Sequence, residues 1–146
     1  MRHRSNPLIW LALSVLASVI LNGVLPLWRF DVTRWIWGPL AVLALWFLNS
    51  ALRHMAHFRL VYAVNRRLDQ SDIGGPFKRG RNPIYTGITM LYFAFLLWLG
   101  SLSAFLPFIA FVMIMDRYII PEEEAQMLRR NQRKAAAYLD SSRRWF

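Results

Sequence analysis

The sequence predicts an all-α, polytopic membrane protein: about four transmembrane helices, the last two forming a hairpin, followed by a cytoplasmic amphipathic helix. Three observations carry that prediction. Of the 146 residues, 56% are hydrophobic, more than a soluble chain of this length can hide, because so small a fold buries only about two thirds of its unfolded surface. The formal net charge is nevertheless +10, and the basic residues cluster between uncharged runs, a pattern of membrane topology rather than of a basic groove for nucleic acid. The uncharged runs themselves have the lengths of membrane spans.

The first run covers residues 8–28 and contains no charged side chain, enough for a helix across a hydrocarbon core of ~30 Å. A second span is expected at 35–56. Residues 84–115 form a third uncharged run of 32 residues, which as one helix would reach ~48 Å and overshoot the bilayer. The polar "GSLS" at its middle (Gly100, Ser101, Leu102, Ser103) therefore divides it into two spans, 84–100 and 103–120. All of this fits one membrane domain over residues 1–146. The absence of cysteine excludes disulfides, thiolate metal sites and a Cys nucleophile.

Loop charge sets the expected orientation. Arg2 and Arg4 precede the first span, and between Arg53 and Arg81 lie seven Arg or Lys against two Asp. The tail adds Arg129, Arg130, Arg133, Lys134, Arg143 and Arg144, whereas the first inter-helix loop holds only Arg29 and Arg34. The positive-inside rule places both termini and the middle loop in the cytoplasm. Trp28, Trp35, Trp37 and Trp98 suit the opposite interface or the bundle interior.

The chemistry-bearing residues stand between and after the helices. The loop 57–83 is turn-rich, with Gly74 and Gly75 free to take positive φ. It closes on "KRGRNPIYTG", residues 78–87, in which Pro83 opens the third span at its first turn and Asn82 is an N-cap candidate. After the hairpin comes "DRYIIPEEEAQML", residues 116–128. Pro121 marks a break, and Glu122, Glu123 and Glu124 fall in the first turn of a new helix over 121–142, where the macrodipole favours carboxylates. The apolar residues of that tail interleave with Arg and Lys, as on a helix lying against anionic membrane lipids. A hairpin leaves and re-enters by the same face, so residues 82–85 and 122–124 are expected to meet. His54 and His57 are spaced i, i+3, but with no carboxylate or cysteine near them in sequence they read as interfacial polar residues rather than metal ligands.

"GPFKRGRNPIYTG", then "RYIIPEEEAQML", then Tyr138 and the closing "RRW" together resemble the isoprenylcysteine carboxyl methyltransferase family, integral membrane enzymes that use S-adenosylmethionine. The resemblance runs from Phe58 to the C-terminus and is closest to bacterial-type members, implying the bacterial cytoplasmic membrane. It implies cofactor contacts at Phe77, Asn82, Pro83, Ile84, Tyr85 and Glu123, with residues 69–72 lining the same site. In that setting Glu123 and its neighbour Glu124 suit the cofactor's cationic groups or ribose hydroxyls. Arg81 suits its carboxylate, and Tyr85 would stack or donate a hydrogen bond. Tyr85, Glu123 and Arg117 are the catalytic candidates, Arg117 as a substrate contact. The implied reaction moves a methyl group to a lipophilic small-molecule or lipid-like acceptor entering from the bilayer.

Four departures are visible. Ile119 stands where eukaryotic members place a carboxylate-binding Arg, and Asn82 where many members have His. Asn131 and Gln132 replace a Phe-Gly pair, and Ala135 replaces a Tyr. Two other readings remain open on sequence: an NADPH-dependent membrane reductase of the sterol-reductase type, and a non-enzymatic membrane partner protein.

Overall fold

A computed structural model describes residues 6–31, 34–64, 75–78, 80–130 and 132–145. Outside them lie the expected cofactor-lining stretch 69–72, Gly74, Asn131, and Arg2 and Arg4; the side chains of His57, Arg130 and Lys134 are likewise undescribed. The chain is all-α: α1 (Pro7–Val24), α2 (Arg34–Val64), α3 (Pro83–Leu99), α4 (Phe105–Ile114), α5 (Ile120–Arg130) and α6 (Gln132–Ser141). Among the described residues, three helical stretches are long and apolar enough to cross a membrane, Pro7–Val24, Trp35–Met55 and Leu102–Arg129, and α3 is a shorter apolar helix. At ~1.5 Å per residue α3 spans ~25 Å, close to the hydrocarbon thickness.

Several boundaries differ from expectation: α1 ends at Val24 rather than at 28, and the tail expected as one helix over 121–142 comprises α5 and α6. The second helix continues to Val64, because the "RLVYAV" that follows residue 58 contains no turn residue and the Asp and Gly signals begin only later. Pro121 does not break the chain. A π-helical turn, Met115–Ile119, joins α4 to α5, with the Ile120 N–H reaching back to the Met115 carbonyl. The wider turn relieves the clash that a proline ring otherwise makes with the carbonyl four residues earlier. Residues 116–120 thus stay helical, and Pro121 falls at the second position of α5.

Two compact units can be told apart along the chain. One comprises Met1–Val42 and Thr89–Pro121, the other Leu43–Ile88 and Glu122–Phe146.

In the first unit, α1 starts at Asn6, whose side chain accepts from the Leu8 N–H at 3.0 Å, with Pro7 in the first turn. The burial pattern of α1 is inverted relative to a soluble helix: Ser14 and Ser18 are buried, while Leu13, Leu16, Val19 and Ile20 are exposed. Small polar residues inside and large apolar ones outside is the arrangement lipid imposes, since it offers apolar side chains a good solvent and polar groups none. Ser18 Oγ donates to the Ala104 carbonyl at 2.7 Å and lies 2.7 Å from the Tyr92 hydroxyl. Its single hydrogen is used on the carbonyl, so Tyr92 donates. Tyr92 also packs edge-on against Phe108 and Phe111.

The "GSLS" turn lies where expected. Gly100 ends α3 with φ +66°, its N–H on the Leu96 carbonyl, the left-handed stop that favours glycine. The turn is then latched to the loop after α1: Phe30 N–H donates to the Gly100 carbonyl and Leu102 N–H to the Leu27 carbonyl, each at 3.0 Å. Ser101 and Ser103 are buried and share a 2.7 Å hydrogen bond.

The second unit gathers the remainder of α2, the first turns of α3, and the tail helices. Its core is Phe77 against Tyr138, with Met55 and Met127 alongside. Two glycines permit close approach. A Cβ on Gly75 (φ +62°) would fall 2.6 Å from the His54 ring, and one on Gly87 would fall 3.0 Å from the Leu48 Cβ, where α2 lies against α3.

Candidate active site

Within the second unit, the start of α3 and the acidic first turn of α5 face each other. Asn82 precedes the helix, its carbonyl accepting from the Thr86 N–H at 3.0 Å, and Pro83 is fully buried at the first position, where a missing N–H costs nothing. Tyr85 follows in the first turn, and its hydroxyl donates to Glu123 Oε1 at 2.7 Å. Both partners are half-buried.

Glu124, one position on and about 100° around the helix, has different partners. Its Oε1 is 3.5 Å from Arg81 Nε and its Oε2 is 3.3 Å from Arg144 Nη2. Two guanidiniums therefore balance one carboxylate, while Glu123 faces a neutral hydroxyl. The adjacent glutamates are thus divided between an ionic clamp and a hydrogen bond to a neutral hydroxyl.

The C-terminal segment completes the arrangement, largely through its backbone. Arg81 N–H donates to the Arg143 carbonyl at 2.8 Å, and Arg81 Nη1 to the Leu139 carbonyl at 2.7 Å. Asn82 Nδ2 donates to the Arg144 carbonyl at 3.2 Å, and the Thr86 hydroxyl, 3.2 Å from the Asn82 carbonyl, lies 3.4 Å from the Trp145 carbonyl. A parallel bridge pairs Gly80 with Arg143. Tyr138 is buried beneath; desolvation pushes its phenol up to about 12, against the opposing effects of a Ser142 hydrogen bond and the Arg81 charge.

The expected residues thus fall into groups. Arg81, Asn82, Pro83, Ile84, Tyr85, Glu123 and Glu124 all lie in the second unit, where Tyr85 touches Glu123 and Arg81 touches Glu124. Phe77, expected beside a cofactor, is 5% exposed and packs on Tyr138. Asn82 donates through Nδ2 to the tail at the Arg144 carbonyl. Arg117 is exposed on the π-helical turn and belongs to the first unit; Ile119, two residues on, is buried. Sequence reasoning missed Arg144 as a partner of Glu124. The closing "RRW" was the available signal, but nothing in the pattern says which arginine turns inward.

Residues 32–133 match the family model of the phospholipid methyltransferases. No curated protein and no solved structure matches the chain. The matched residues make up well over half of the sequence and include α2, α3 and the acidic turn of α5. The isoprenylcysteine carboxyl methyltransferases, which the motif series resembles, are a related family, so the likeness holds at that wider level while the match itself is to the phospholipid enzymes. The donor set fits the family's cofactor: a half-buried carboxylate held by a hydroxyl, suited to a sulfonium, an ammonium or ribose hydroxyls. Of the three readings left open by the sequence, the methyltransferase is the one this match selects. With its apolar helices and its matched core, the chain belongs to the phospholipid methyltransferase family, integral membrane enzymes that take their methyl group from S-adenosylmethionine.

Proposed function

We propose that the protein methylates the polar headgroup of a lipid-like acceptor that reaches the site from the bilayer, with Tyr85 and Glu123 at the cofactor. The observation that carries this reading is the 2.7 Å hydrogen bond between Tyr85 and Glu123, set in a cluster where the neighbouring Glu124 is already neutralised. When bound, S-adenosylmethionine supplies an electrophilic methyl group on a cationic sulfur. Glu123 contributes negative charge where that cation would sit, and Tyr85 fixes the carboxylate's orientation so that little reorganisation is needed. Asn82, Pro83 and Ile84 shape the helix entry beside the pair, and Arg81 holds the clamp that flanks it. Phe77 supports the tail from below. Alignment and exclusion of water account for most of the rate in an in-line displacement, an effect worth ~7–11 kcal/mol when geometry is enforced.

The acceptor's chemistry follows from charge. Ile119 is buried and apolar at the position where a carboxylate-binding arginine would stand, which argues against a prenylcysteine carboxylate. The family match favours an amine-bearing phospholipid headgroup. Arg117 is retained as an acceptor contact on chemistry alone: an exposed guanidinium suits a phosphate. The clustering of cations favours placement in a bacterial cytoplasmic membrane with both termini in the cytoplasm.

Titration calorimetry of the detergent-solubilised protein tests the site. Heat is expected with S-adenosylmethionine and with its demethylated product, and is expected to be lost in Glu123→Ala. If the wild-type protein gives no heat, or Glu123→Ala binds as well as wild type, the assignment fails. Incubation of membranes with a labelled methyl donor then identifies the acceptor by the fraction, lipid or protein, that carries the label.

A further inference from the structure

We propose that Arg144 is a positioning residue: it acts through Glu124 to hold the acidic turn of α5 in the register that presents Glu123 to Tyr85. This rests on the cofactor site proposed above. Arg144 lies beyond the residues matched to the family, so the match assigns it nothing.

The guanidinium of Arg144 approaches Glu124 Oε2 at 3.3 Å while its backbone carbonyl accepts from Asn82 Nδ2 at 3.2 Å. One residue therefore bonds both to the residue that follows Glu123 and to the residue that opens the helix of Tyr85. Arg81 closes the loop from the other side, with its side chain near Glu124 at 3.5 Å and its N–H on the Arg143 carbonyl. The Glu124 side chain is 17% exposed and that of Arg144 35%, so the pair is partly desolvated and its loss leaves a shielded carboxylate with half its compensation. The acidic turn then has one guanidinium to follow instead of two, and Glu123 turns with it, because adjacent helical residues cannot rotate independently. The tail functions as a strap across the cofactor-binding pair, with Arg144 as its fastening.

The test compares wild type, Arg144→Ala, Arg144→Lys, Glu124→Gln and the Arg144→Ala/Glu124→Gln double variant, with Arg133→Ala, an exposed tail residue, as control. Two readouts are taken on each: affinity for S-adenosylmethionine by calorimetry, and hydrogen exchange at the Arg81 amide without ligand. Arg144→Ala and Glu124→Gln are each expected to weaken binding about tenfold, and the double variant little further, because both break the same link. Arg144→Lys is expected to recover part of the loss, and exchange at Arg81 to accelerate in Arg144→Ala alone among the single tail variants. Unchanged affinity in a folded Arg144→Ala protein overturns the proposal, as does a double variant whose losses multiply. A tail that only stabilises the fold would lower the folded fraction and leave the affinity of that fraction intact, which also overturns it. A wild-type protein that binds no S-adenosylmethionine removes the site itself, an outcome distinct from a strap that fails while binding persists.

Discussion

Glu123 and Glu124 show how far one peptide bond can separate two roles. Glu124 lies between Arg81 and Arg144, and Glu123 accepts from Tyr85. Glu123→Gln keeps the shape and removes the charge, so it is expected to weaken S-adenosylmethionine binding by about ten- to a hundredfold, the range of a charge-assisted contact of ~1.5–3 kcal/mol. Tyr85→Phe removes only the orienting hydroxyl and is expected to cost about tenfold in kcat/KM; equal activity in a direct assay would separate Tyr85 from the site. Tyr138 gives a pH signature. Its folded pKa lies near 12 against 10 for the free phenol, so the folded state holds its proton more tightly than the unfolded state. The associated stability is fully present below pH 10 and is lost as pH rises from 10 to about 12. It amounts to about 2–3 kcal/mol, and Tyr138→Phe is expected to flatten that alkaline decline in thermal melts.

The helices were readable to the extent that their ends carry chemistry. Pro83 and Gly100 each mark a terminus because fixed φ or left-handed backbone is written in the residue itself. The hairpin at "GSLS" followed from length alone, since 32 apolar residues exceed one crossing. The π-helical turn was not readable, because a proline eight or more residues into a helical run signals a break and only the local winding shows how it is accommodated. The strap was equally hidden. It bonds through the carbonyls of Leu139, Arg143 and Arg144, and every residue carries a carbonyl whatever its side chain. Gly100→Ala is expected to destabilise the hairpin by about 1–2 kcal/mol, the cost of left-handed backbone for an L side chain. The added Cβ would also stand 3.0 Å from the Phe30 carbonyl. Urea or thermal denaturation in detergent measures it; no change would mean that the turn relaxes without loss.

For the protein as a whole, the charge pattern makes a claim that is simple to check. The chain has no cysteine, so single cysteines can be introduced without a background. In cells treated with a membrane-impermeant thiol reagent, cysteines placed at Arg29 or Trp98 are expected to label from outside, and those at Arg53, Lys78 or Arg143 only after lysis. Labelling of Lys78 and Trp98 from the same side would contradict the hairpin topology. Large apolar side chains such as Trp35, Val42, Trp46 and Ile109 stand outward at 53–88% exposure, which is expected for a surface solvated by acyl chains and would be an aggregation hazard in water.

Gly87 gives this organisation a practical edge. It sits two residues after Tyr85, and α2 approaches it so closely that one more carbon would press on Leu48. A methyl group added there touches no reacting atom, yet it must lift the helix that carries the phenol. In a saturation-mutagenesis screen for methyl transfer, position 87 would therefore score like a catalytic one, and an engineer seeking to enlarge the acceptor range would do well to leave it vacant.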